Sequence, residues 1–155
     1  MRRINIKSGA LKLLGLVIFS TVFSSFSGKM GGDSFKIFID KKVVVQDYVS
    51  HSSSIKSFQI DASKSNSQVD VYYSHCGKTG TSRRLIIKDA ENNVLKQWNY
   101  PDADATSVSC KVKDLLSLGK VNDAGKLNLY YASKEMPKGR LLAAVLVNAD
   151  NKVTP

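Results

Sequence analysis

The sequence predicts an all-β fold: an antiparallel β-sandwich of about eight or nine short strands with one short helix. Three observations predict it. Short segments rich in Val, Ile, Tyr and Phe recur along residues 35–147, most of them alternating apolar and polar side chains and separated by Gly, Asn, Asp, Ser and Pro. One segment alone, residues 113–118, has helical character. A Tyr-Tyr strand occurs twice in similar surroundings.

Phe35, Ile37 and Ile39 share one face of the first strand, with Lys36 and Phe38 on the other. Asp40, Lys41 and Lys42 turn the chain into residues 43–48, which completes a hairpin. The polar stretch 51–54 precedes a third strand at 57–61, and residues 62–68 precede a fourth at 69–73. A loop containing Gly77 and Gly80 leads to residues 84–88. The composition of 89–93 is that of a hairpin turn, and residues 94–100 return until Pro101 stops them. Residues 108–112 form the next strand, and the helix at 113–118 is expected to end at Gly119. Leu127, Leu129 and Tyr131 alternate with Asn128 and Tyr130. The run 140–147 is the most apolar, unbroken after Arg140, as suits a strand covered on both faces.

The near-repeat aligns Val69-Asp70-Val71-Tyr72-Tyr73-Ser74 with Leu127-Asn128-Leu129-Tyr130-Tyr131-Ala132, and residues 89–94 with 148–153. It is expected to place equivalent strand pairs in the two halves of the sandwich; two copies are too few for a solenoid.

Ahead of the domain, Arg2, Arg3, Lys7 and Lys12 precede the uncharged stretch 13–23, and small residues follow at 24–28. This is the pattern of a cleavable export signal over 1–27, with cleavage after Ser25 or Ser27. The apolar stretch is shorter than the roughly 20 residues of a membrane-spanning helix. Residues 28–34 read as a flexible leader and 35–153 as one domain. The expected location is periplasmic or extracellular, with membrane contact only through the signal. The signal carries four of the cations behind the formal charge of +10, so the remainder carries +6, scattered among aspartates. Scattered charge in an exported protein argues against a nucleic-acid partner.

Cys76 and Cys110 are the two cysteines. In an oxidising compartment an even pair reads as a disulfide, contributing roughly 3–4 kcal/mol on the chain-entropy view. A rival reading is a small enzyme or metal site built on His75, Cys76 and Cys110, with His51 as a further candidate ligand.

No catalytic motif survives inspection. Gly77-Lys78-Thr79 lacks the earlier glycine of a phosphate loop, since Tyr72 stands in its place, and a strand follows it rather than a helix. Asp102-Ala103-Asp104 opens like a calcium loop, but Thr106 occupies the third acidic position and no distal glutamate follows. A Ser- or Cys-based nucleophile would have to use His51 or His75, and neither lies at a strand-to-helix elbow. No cofactor or metal is expected.

Two groups of residues are candidates to face a ligand. Lys78, Arg83 and Arg84 share a loop with two glycines and several hydroxyls, a composition able to hold an anion. Tyr72 and Tyr130 face outward if their strands alternate regularly, and with Trp98 they would form a stacking platform if the strands are neighbours.

Three stretches, Gly31-Gly32-Asp33-Ser34-Phe35 with its hairpin, Val71-Tyr72-Tyr73-Ser74-His75-Cys76, and Cys110-Lys111-Val112-Lys113-Asp114-Leu115-Leu116, resemble small uncharacterised exported β-sandwich proteins of the Bacteroidota kind. The resemblance implies an envelope location and no particular activity. The expected function is a non-enzymatic envelope module that binds a protein or glycan partner. The alternatives are the His75/Cys76/Cys110 site and a structural component that pairs through an edge strand.

Overall fold

A computed structural model describes residues 32–49, 54–102, 106–121 and 125–148. The expected signal (1–27), His51, Asp104 and the second Asn-rich turn at 149–153 lie outside the described residues. The elements are β1 (Ser34–Ile39), β2 (Lys42–Tyr48), β3 (Lys56–Asp61), a 3-10 turn (Ala62–Lys64), β4 (Gln68–Ser74), β5 (Arg84–Lys88), β6 (Val94–Asn99), β7 (Ser107–Lys111), α1 (Val112–Val121), β8 (Lys126–Ser133) and β9 (Met136–Asn148).

They form the predicted two-sheet, all-β sandwich. A four-stranded sheet runs β2-β1-β4-β7, and a five-stranded sheet runs β3-β9-β8-β5-β6. The period-2 alternation explains the core. Phe35, Ile37 and Ile39 of β1, with Val69, Val71 and Tyr73 of β4, face Leu85 and Ile87 of β5 and Leu127, Leu129 and Tyr131 of β8. The β1–β2 hairpin turns on Asp40 and Lys41, both at positive φ (50° and 65°), the conformation that suits the right-handed twist of a tight hairpin.

Three details depart from the sequence reading. All pairings are antiparallel except β3 with β9, which run parallel from Lys56 opposite Ala143 to Asp61 opposite Asn148. Alternation fixes which face a residue takes but carries no information on strand direction. Val112 opens the helix instead of closing β7, and the helix continues through Gly119 to Val121. Gly119 is there for contact rather than as a stop. A Cβ at this position would lie 2.6 Å from Val147 Cγ2, so only glycine lets α1 rest on β9. With Val112, Leu115 and Leu116 buried, α1 covers one end of the sandwich.

The third departure concerns the cysteines, which form no disulfide: Cys76 is exposed and Cys110 buried, both as free thiols. Cys110 sits opposite Val69 at the start of β4, whereas Cys76 lies past the other end of that strand. At about 3.3 Å per residue the two are on the order of 20 Å apart, far beyond the ~7 Å Cα limit of a disulfide.

The repeat has a partial structural counterpart. β4 and β8 are both interior strands, one in each sheet, and their inner tyrosines meet face to face. The Tyr73 and Tyr131 rings stack at 4.5 Å with an interplanar angle of 6°. The rest is not equivalent: β8 continues by hairpin into β9 within one sheet, while the chain after β4 crosses to the other.

Candidate functional site

The stacked tyrosines anchor a polar cluster at the end of the sandwich opposite α1. Tyr73 Oη donates to Asp33 Oδ2 (2.9 Å) and lies 3.8 Å from Met136 Sδ. His75 follows directly on β4. Its Nδ1 is 3.5 Å from Asp33 Oδ2, and its Nε2 is 3.1 Å from Ser133 Oγ on β8. The imidazole also lies against both tyrosine rings, with centroids at 4.7 and 5.9 Å. Burial raises the hydroxyl pKa of Tyr73, assisted by its bond to Asp33; burial likewise raises that of Tyr131. Both remain neutral donors at any physiological pH.

Asp33, His75 and Ser133 thus have the connectivity of an orienter, base and nucleophile. Access is what they lack. Ser133 is 1% exposed. A Cβ at Gly80 would lie 2.8 Å from His75 Nε2 and 2.9 Å from Ser133 Cβ, so the Gly80 backbone stands directly on the pair. A reacting carbonyl carbon needs about 3 Å of space beside Oγ, and the glycine occupies it. The cluster is therefore an inter-sheet clasp: groups from the segment before β1, from β4 and from β8 bond one another beside the buried Ser133, with His75 and Asp33 only partly exposed at its rim.

Around the clasp, the loop after β4 is tied down. Glu135 accepts from Thr81 N (3.0 and 3.2 Å) and Thr81 Oγ1 (2.8 Å), and Lys134 N donates to Thr81 O (2.8 Å). Partial desolvation acts to raise the Glu135 pKa, but the Thr81 and other hydrogen bonds outweigh it and hold the carboxyl at about 2. Cys76, at φ 51°, brings its Sγ to 3.6 Å from Asp33 Oδ1. The combination His75, Cys76 and Cys110 is not assembled, since Cys110 is at the α1 end, where burial above all pushes its thiol pKa up to about 12. Among the described residues no group of three His, Cys, Asp or Glu side chains is placed to hold a metal ion.

The three candidate rings lie on three different surfaces, and the platform drawn from them is not formed. Tyr72 faces outward from the four-stranded sheet. Tyr130 faces outward from the five-stranded sheet, where its hydroxyl bonds Asn92 Oδ1 (3.3 Å) and Lys88 Nζ sits 4.6 Å from its ring. Trp98 pairs with Leu85 on the inner face of that sheet and packs partly buried against the core. Lys96 lies 5.0 Å from its ring and bridges to Asp114 of α1 (3.1 Å). The strands of the two Tyr-Tyr copies belong to opposite sheets, so their outward rings point away from each other.

Tyr72 does have an aromatic neighbour that the sequence reading did not select. On β1, Phe38 lies opposite Asp70 and Lys36 lies opposite Tyr72, so Phe38 and Tyr72 are diagonal neighbours on one outer face. With Lys36, Lys41, Asp70 and Ser107 they line a trough of about 570 Å³. The Asp70 carboxylate is held by Gln68 Nε2 (2.6 Å) and Ser109 Oγ (2.7 Å). The signal for Phe38 was its place out of phase with the core face of β1.

Arg83 and Arg84 are brought together, without Lys78, in a second groove of about 600 Å³ at the clasp end. Lys78 instead closes a tight turn through backbone bonds with His75 (2.8 and 3.0 Å).

Comparison with protein-family models, with curated proteins and with solved structures found no match.

Proposed function

We propose that the protein is an exported, non-enzymatic module of the cell envelope that binds a saccharide in the trough on the outer face of its four-stranded sheet. The observation that carries the reading is the pair Phe38 and Tyr72, two half-buried rings on a face where core packing does not require them. They are flanked by the amines of Lys36 and Lys41 and the hydroxyl of Ser107. Sugars present apolar C–H faces edged by hydroxyl groups, and rings bordered by charged and hydroxyl side chains match that pattern. A protein partner would need roughly 800 Å² per side with an apolar centre, more than a two-ring trough supplies. Two cations against one already engaged carboxylate favour a saccharide that carries acid groups.

The test is calorimetric titration of the mature protein with neutral and acidic oligosaccharides. Binding is expected to weaken about tenfold in Phe38→Ala and in Tyr72→Ala, with the fold intact, as for interface hot spots. Saccharide binding that ignores both substitutions would refute the reading.

One observation favours a second reading. β2 is an edge strand and leaves Val43, Val44 and Tyr48 exposed at 50%, 39% and 56%. Such an edge suits addition of a partner's strand. However, a bulge at Val44 interrupts the register between Ile37 and Phe38 and works against regular pairing there.

A further inference from the structure

The groove at the clasp end is separate from the trough and shares no lining residue with it. We propose that it is an oxyanion site, which takes a carboxylate, sulfate or phosphate group carried on an organic body. Arg83, just before β5, and Arg84, its first residue, reach it from opposite sides of the chain. Leu85 faces the core, so Arg83, two residues before it, points inward and is 3% exposed, whereas Arg84 points outward. Both line the groove because it wraps around the end of the sheet, where Lys134 adds a third cation.

Among the described residues the one carboxylate in the lining is Asp102, and its Oδ1 accepts from Ser82 N (2.5 Å). Arg84 and Lys134 against one hydrogen-bonded carboxylate place positive charge on a concave wall, where the low-dielectric surround strengthens it. Donor geometry points the same way. Arg84 Nη2 donates to Pro137 O (3.3 Å), which spans the guanidinium across the groove while its other N–H groups remain for a ligand. Asn99 Oδ1 accepts from Gln97 Nε2 (2.8 Å), which orients the Asn99 amide NH2 as a donor.

The organic body is implied by Tyr100. Its hydroxyl is committed to Ser109 O, so the side chain offers the groove its ring rather than its polar tip. The walls are also held in advance. Lys134 N bonds Thr81 O, Tyr100 N bonds Arg83 O (2.9 Å), and Glu135 fixes Thr81, so the three chain segments that meet there need little ordering on binding.

The experiment uses the mature chain and three probes in separate titrations, benzoate, inorganic sulfate and inorganic phosphate, followed by amide chemical shifts. At least one probe is expected to saturate in the millimolar range and shift Lys134 and Asn99, and which one does so identifies the head group. Arg84→Gln and Lys134→Gln, both at accessible positions, are each expected to weaken that probe at least fivefold. Lys56→Gln, at an exposed position of β3 outside both sites, is expected to leave it unchanged. No saturable shift at about ten millimolar, or equal weakening in Lys56→Gln, would overturn the proposal. Loss of saccharide binding in Phe38→Ala tests the trough alone, so the two sites fail or stand separately.

Discussion

Gly80 and Glu135 carry the clasp end at the scale of single residues. Gly80 lies under His75 Nε2 and Tyr131 Oη, each 2.8 Å from where a Cβ would be, and both belong to side chains locked by stacking. Gly80→Ala is therefore expected to destabilise by about 1–3 kcal/mol, the usual range for overpacking, read as a lower Tm in thermal unfolding. A Tm equal to wild type would show that the loop can lift off without cost and that the clasp is open to solvent. Glu135 gives a pH-dependent counterpart. Its carboxyl is at about 2 in the fold against an ordinary 4.5, so the folded state favours the ionised form. Its contribution is fully present above pH 4.5 and is lost as pH falls through the interval down to about 2. Wild type is expected to exceed Glu135→Gln in stability at pH 7, and the gap to close as denaturation is repeated toward pH 2. A gap that is constant with pH would mean that the carboxylate charge is irrelevant to holding Thr81. Neither residue was legible as a site in the sequence. Gly80 reads as loop punctuation, and its role depends on His75, Tyr131 and Ser133, which come from strands in different sheets.

Among the elements, the hairpins were the most legible, because period-2 alternation and turn residues are local signals. Asp40 and Lys41 mark their turn by composition, yet Lys41 sits at φ 65°, where a side chain is unfavourable. Lys41→Gly is expected to raise stability by about 0.5–1 kcal/mol in chemical denaturation, since glycine reaches that conformation freely. Destabilisation instead would mean that Lys41 contributes through its neighbours in the trough rather than through the turn. Where the sequence misled, the cause was tertiary. Gly119 has the composition of a helix stop and acts as a contact point under Val147, and the parallel pairing of β3 with β9 joins strands from distant parts of the chain. The Tyr-Tyr repeat was legible as a pattern but not as a geometry. Alternation required one ring of each pair to turn inward, while only the sheet order could show that the inner rings meet and the outer ones diverge.

Over the whole molecule, the two cysteines show what kind of object this sandwich is. A disulfide was the natural inference from two cysteines behind an expected export signal, and it fails because β4 separates them by its full length. The sandwich must then be held by its core, by α1 at one end and by the clasp at the other, with no covalent tie between the sheets among the described residues. The two thiols report on that arrangement differently. Cys76 is exposed past the end of β4, whereas Cys110 is buried on β7 and its thiol is pushed up to about 12, so it is neither reachable nor ionised in the native state. Intact mass of the mature protein, which should begin between Phe26 and Gly28, is expected to show two reduced thiols with or without reductant. Alkylation at pH 8 is expected to modify Cys76 at once and Cys110 only as fast as the molecule unfolds, because β7 opens only when the sheet and α1 come apart together. Adding denaturant should therefore accelerate Cys110 in step with the loss of β-sheet signal by circular dichroism, while Cys76 stays unchanged. Rapid labelling of Cys110 in water would mean that β7 and α1 detach locally. The α1 end would then be a loose cap, and the clasp end, with its groove, the rigid part of the sandwich.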